Sequence, residues 1–127
     1  MERALNYYLL DSVILIDHFN GRPEATQFIV EQREFASISV ITRAEVLTGF
    51  DPIALVQAKA FLQFFPTHEL TVGDADLAAS LRRENRWKLP DALQAAVAIN
   101  RRLILATRNS KDFDPSKHSF VATPYCL

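Results

Sequence analysis

The stretch "YYLLDSVILIDHFNG", residues 7–21, holds the reading on which the fold turns. "YYLL" (7–10) is short, aromatic and branched, which reads as a buried strand. "VILIDHF" (13–19) could prolong that strand. Ser12 is a good helix N-cap and Gly21 a good stop, however, so a helix is the better reading. A strand followed at once by a helix is half of a parallel crossover unit, and Asp11 falls at the junction. An unpaired buried carboxylate is expensive, so an acid there is either a cap or part of a site.

The rest of the chain repeats the alternation. "PEATQFIVEQR" (23–33) opens with proline in a first turn and reads as a helix. "FASISV" (35–40) reads as a strand, and "TRAEVLTGF" (42–50) starts a helix. "DPIALVQAKAFLQFF" (51–65) is an apolar helix with Asp51 as cap and Pro66 as stop. "HELTV" (68–72) is a candidate strand. "DADLAASLRREN" (74–85) is amphipathic, with Leu77, Ala78 and Leu81 inward. "PDALQAAVAI" (90–99) is alanine-rich on nearly every face, as a buried, closely packed helix is. "LILAT" (103–107) is a strand, and "SFVATPYCL" (119–127) holds a possible last one. Such alternation predicts an α/β fold, a mainly parallel sheet flanked by helices. Ligands of open parallel sheets bind at the carboxyl ends of the strands.

Composition sets the limits. At 127 residues, 49% of them hydrophobic, one domain spanning 1–127 is expected. The net charge of −1 argues against a broadly basic nucleic-acid binder but leaves room for a local basic patch. The single cysteine, Cys126, has no internal partner, which fits a reducing cytoplasm. The start, with Glu2 and Arg3, shows no signal-peptide pattern. No apolar run approaches the roughly 20 residues that cross a bilayer. The expectation is a cytoplasmic protein without a membrane segment.

Four segments bring acidic or amide oxygens towards one sheet edge. Asp11 follows the first strand, Glu45 opens the helix after the second, and Asp91 opens the alanine-rich helix. Asn109, Asp112 and Asp114 follow "LILAT". Oxygen ligands suit Mg²⁺ or Mn²⁺ rather than Zn²⁺, and His18, His68 and His118 are scattered. A divalent cation would relieve the repulsion and activate water for attack on a phosphodiester. Each residue also has a plainer reading. Asp11 ends a strand, Thr42 and Glu45 have the spacing of a capping pair, Asp91 suits a helix start, and Asp112 and Asp114 suit turns. Asp17 reads as a surface acid of the first helix.

On "LLDSVILIDHFNG", "SISVITRAEVLTG", "LPDALQAAVAI" and "LATRNSKDF", in that order and spacing, the sequence resembles PIN-domain ribonucleases, specifically the VapC-like toxins of bacterial toxin–antitoxin pairs. The resemblance covers nearly the whole chain. It implies a PIN-like fold, a divalent metal (Mg²⁺ or Mn²⁺), endonucleolytic cleavage of RNA, a homodimer and a cognate antitoxin protein. Asp11, Glu45 and Asp91 match the core acids, and the fourth falls on Asn109 or Asp112. Ser12 and Thr107 are read as hydroxyls that support the acids. Two positions depart from the pattern: Val13 stands where asparagine is common, and Gln94 where an apolar residue is usual. Arg82, Arg86 and Lys88 before Asp91, and Arg108 and Lys111 near the last motif, are candidates for holding RNA phosphates, with Arg83, Arg101 and Arg102 nearby. Trp87 could stack on an unpaired base. Phe50, Leu55, Phe61, Leu62, Phe64 and Phe65 give more apolar surface than one sheet face covers, which points to an interface. The rival reading is a catalytically inactive PIN-like scaffold that binds nucleic acid or protein.

Overall fold

A computed structural model describes residues 7–127. Glu2 and Arg3 lie outside the described residues. In chain order the elements are β1 (Tyr8–Leu10), α1 (Ser12–Phe19), α2 (Pro23–Gln32), a 3-10 turn (Arg33–Phe35), β2 (Ala36–Ser39), α3 (Val40–Thr48), α4 (Pro52–Leu62), β3 (Thr67–His68), α5 (Val72–Asn85), α6 (Leu89–Asn100), β4 (Ile104–Ala106) and β5 (Val121–Ala122). All strand pairings are parallel, in the order β3-β2-β1-β4-β5. β1 is central, with Tyr8 beside Ala36 on one flank and Leu10 beside Ala106 on the other.

β1 and β4 are apolar on both faces because helices cover both. Leu9 and Leu105 point into a core with Ala92, the run Ala95–Ala98 and Phe113; Leu10 and Ala106 point the other way, onto Ile14, Leu15, Ile29, Val46 and Leu62. This is the period of two expected of strand side chains. Alanines on α6 bring its backbone close to the sheet and to α5.

Several local expectations change on folding. Asp11, not Ser12, caps α1: its Oδ1 accepts the Ser12 N–H at 2.8 Å. Ser39, not Thr42, caps α3, accepting the Ile41 and Thr42 N–H groups. Thr42 is therefore within the helix, and its hydroxyl donates to the Leu10 carbonyl at 2.9 Å. The capping-pair reading of Thr42 and Glu45 fails because the last strand residue supplies an earlier cap. α4 ends at Leu62, short of Pro66, and β3 occupies Thr67–His68 while Thr71 caps α5. The apolar α4 segment is mostly used internally: Leu62 and Phe65 are buried, and Phe61 packs on Phe19, Phe65 and His18. What it leaves in solvent is Ile53, Val56 and Phe64. Among the described residues no helix is long and apolar enough to cross a membrane.

Candidate functional site

The parallel order puts the carboxyl ends of β1, β2 and β4 side by side; Asp11, Glu45 and the Asn109–Asp112 loop lie on the segments that follow them, and Asp91 joins from the start of α6. Asp11 comes directly after β1 and is 7% exposed. Its carboxylate is held from three sides. Oδ1 accepts the Ser12 N–H, Oδ2 accepts the Thr107 hydroxyl at 2.7 Å, and the Gln94 amide reaches Oδ1 at 3.5 Å. Burial pushes the Asp11 carboxyl up, against the opposing pull of these donors. Thr107, directly after β4, also accepts the Asn109 N–H at 3.0 Å, so one hydroxyl ties Asp11 to the next loop.

Gln94 is the polar residue that the sequence put on a packed helix face, and it is 1% exposed. Its Oε1 accepts the Ser39 hydroxyl at 2.6 Å, and its amide donates to Thr42 Oγ1 at 2.6 Å. Through Thr42 the chain of bonds continues to the Leu10 carbonyl, one residue before Asp11. A buried amide is tolerated here because every polar end is met.

Glu45 does not open α3 but sits within it, one turn beyond Thr42, exposed at the rim of the site. Its carboxyl is raised by partial desolvation first and also by the Asp11 charge, against the Ser12 hydroxyl, which lowers it. Asp91, in the first turn of α6, is half-buried. Its carboxyl is pushed up to about 6, by burial and then by the charges of Asp11, Asp112 and Glu45. Acids from four separate segments thus share one electrostatic neighbourhood. Asn109 and Asp112 both belong to it: the Asn109 amide donates to Asp112 Oδ2 at 3.1 Å. Asp114 turns away into a local bend, accepting from the Ser116 N–H and hydroxyl. Among the described residues no group of three His, Cys, Asp or Glu side chains is arranged to hold a metal ion on its own. The histidines are taken up elsewhere, His18 against Thr26 and Phe61, His68 on Ser37 and His118 beside Trp87.

Three sequence readings need correction. Asp17 is not a surface acid: it is 4% exposed, and it accepts Arg108 Nε at 2.7 Å, Nη2 at 2.9 Å and the Tyr125 hydroxyl at 2.7 Å. Its position three residues after the buried Ile14 was the available signal, since i and i+3 share a helix face. Arg108 is accordingly committed to Asp17. Trp87 is 5% exposed and packed on Phe113, with its indole N–H donating to the Asp112 carbonyl at 3.0 Å, so its ring is not free to stack on a base. The Asp17–Arg108–Tyr125 cluster and the Gln94 network are the features that sequence reasoning missed.

The PIN domain family model matches residues 8–115. No curated protein sequence matches the chain. Among solved structures, it is similar to a chain of a toxin–antitoxin complex from Klebsiella pneumoniae, with 37% identity and a TM-score of 0.85 over 94% of this chain and 99% of that one. It shares the fold of a chain of FitAcB from Neisseria gonorrhoeae, at 19% identity and a TM-score of 0.78, covering 94% and 99% of the two chains. It also shares the fold of a chain of DNA-bound VapBC from Salmonella typhimurium, at 18% identity and a TM-score of 0.74, covering 87% and 92%. The VapC-like resemblance read from the sequence therefore holds. With its parallel sheet, its acids at the carboxyl edge and a family match over most of its length, the chain belongs to the PIN-domain family.

Proposed function

We propose that this chain is a metal-dependent endoribonuclease that hydrolyses RNA phosphodiester bonds, and that it is the toxin of a toxin–antitoxin pair, restrained by a cognate antitoxin protein. The observation that carries the reading is the meeting of Asp11, Glu45, Asp91 and Asp112 at one sheet edge, with the Asp91 carboxyl raised to about 6 by its burial and its neighbours. Fold stability gives no reason for like charges to gather on a half-buried edge; a bound cation does. The toxin assignment is supported by the relative in a toxin–antitoxin complex.

The donor set fits Mg²⁺ or Mn²⁺. It is oxygen only, and an ion of this kind needs just one or two carboxylates because it keeps several waters. A three-acid cage is therefore not a requirement. Asp11 and Asp91 would hold the ion, with Glu45, Asp112 and the Asn109 amide completing the oxygen set. When bound, such an ion lowers the pKa of water and neutralises charge developing on phosphate oxygens. The protein's own contribution is preorganisation. Ser12, Thr107 and Gln94 fix the Asp11 carboxylate before anything binds, and Thr107 and Trp87 fix the loop that carries Asn109 and Asp112. A homodimer built on the exposed apolar residues of α4 completes the proposal.

The test combines cleavage with melting. Wild type should cut RNA with Mg²⁺ or Mn²⁺ and stop in chelator, and millimolar metal should raise its melting midpoint. Asp91→Asn should lose both responses. RNA binding without cleavage under any metal would move the protein to the rival class, an inactive PIN-like binding module.

A further inference from the structure

The cations beside the acids differ in how far their charge is free. On the side of the last motif Arg108 is engaged by Asp17, while Lys111 is exposed and, among the described residues, in no ion pair. On the other side, Arg82, Arg83 and Arg86, with Ala79 and Trp87, line an open groove of about 450 Å³. These arginines and Lys88 are exposed, and among the described residues none of the four is in an ion pair.

The groove is built rather than incidental. Trp87 is its buried floor, and the indole N–H bond to the Asp112 carbonyl joins that floor to the acid loop. Arg82 Nε donates to the Trp87 carbonyl at 3.0 Å, which fixes the turn between α5 and α6. Arg86 caps α5 in the left-handed conformation, φ 59°, at a position where glycine is the usual choice. Lys88 immediately precedes α6, and its charge acts on Asp91. Lys88, next in sequence to Trp87 of the groove, thus links the groove to the acid cluster.

A protein of net charge −1 with four acids at its site repels a polyanion unless a local patch attracts it. Guanidinium groups match phosphate oxygens with paired donors. We propose that the Arg82–Arg83–Arg86 groove binds the sugar–phosphate backbone of single-stranded RNA on one side of the scissile bond, so that the strand passes from the acids across Lys88 into the groove. The proposal rests on the nuclease reading.

The experiment measures RNA binding apart from cleavage. An Asp91→Asn chain in Mg²⁺ is titrated with a short fluorescent single-stranded oligoribonucleotide over a range of KCl, and compared with the same chain carrying Arg83→Ala and Arg86→Ala. Two lost phosphate contacts should lower the slope of log affinity against log salt by about 1.4, and weaken binding at least about tenfold near 0.1 M salt. Arg83→Lys with Arg86→Lys should keep most of the slope, Lys59→Ala on α4 should change nothing, and all variants should melt like their parent. Unchanged slope and affinity in the alanine variant, with the parent still binding RNA, would overturn the groove and leave the nuclease reading standing. If a fluorescent poly-glutamate peptide, titrated in the same way, binds the parent and is lost in the alanine variant while RNA binding stays intact, that would also overturn it, in favour of an acidic protein segment. A parent chain that binds no RNA, together with a wild type that cuts none, would remove both.

Discussion

Asp11 combines a helix cap with a buried, hydrogen-bonded carboxylate. It caps α1 through Oδ1 and presents a buried carboxylate held by Thr107 through Oδ2. Asparagine caps nearly as well as aspartate, so Asp11→Asn should change metal-free stability by less than about 1 kcal/mol, and the loss of a desolvated charge can even raise it. RNA cleavage should nevertheless vanish. Melting and cleavage measured side by side check this: full cleavage would remove the catalytic role, and an unfolded variant would make Asp11 structural. Gln94 separates positioning from ligation in the same way. Gln94→Leu keeps the volume but leaves the Ser39 hydroxyl without its acceptor and removes the donor to Thr42, at a cost of about 2 kcal/mol. Thr42→Val added to Gln94→Leu should cost less than Thr42→Val alone, because the two side chains share one bond. Urea unfolding of the three variants gives the cycle, and strict additivity would show that the network is not coupled.

Among the elements, α4 and the turn after it divide apolar side chains between core and solvent. Phe61 and Phe65 pack inward while Ile53, Val56 and Phe64 face solvent, Phe64 being 82% exposed, which is where the proposed dimer would form. Phe64→Asp should therefore leave the melting midpoint of the chain within the ±0.5 kcal/mol expected of surface changes, and shift sedimentation from dimer towards monomer. Phe61→Asp should unfold the protein instead, because it buries a charge among aromatic rings. A Phe64→Asp chain that remains dimeric would relocate the interface away from α4.

At the scale of the molecule, the Asp17–Arg108–Tyr125 cluster ties α1, the loop after β4 and the last residues of the chain into one piece. The Arg108 guanidinium holds the Asp17 carboxyl below its ordinary value, and the Tyr125 hydroxyl adds to this. The folded state then binds fewer protons than the unfolded one near pH 4, so the contribution is complete above the unfolded value of about 3.9 and is lost as pH falls through the folded one. Asp74, lowered by Arg101, acts in the same direction. Acid titration of the melting midpoint should show a fall below about pH 4–5, and Asp17→Asn should flatten part of it; an identical acid limb in the variant would count against the pair. At neutral pH, Arg108→Ala should cost about 3 kcal/mol by leaving a buried carboxylate without its cation. Arg83→Ala, which empties only the groove, should cost less than about 0.5 kcal/mol.

The sequence by itself determined the alternation of buried strands and helices, because apolar period and helix punctuation are local properties. It also pointed to the acid-bearing segments after β1, β2 and β4, since the ends of parallel strands must share an edge, whereas Asp91, at the start of α6, reaches them through helix packing. Its errors lie where a local preference had a competitor from elsewhere in the chain. Ser12 and Thr42 both look like caps, and Asp11 and Ser39 win because each helix begins earlier than propensity suggests. Asp17 looks like a surface acid until a guanidinium 91 residues away makes its burial tolerable. Gln94 looks misplaced until Ser39 and Thr42, on a different helix and strand end, satisfy its amide. Tertiary structure alone decided which arginines are neutralised and which remain free, because pairing depends on distances between segments that no local pattern encodes.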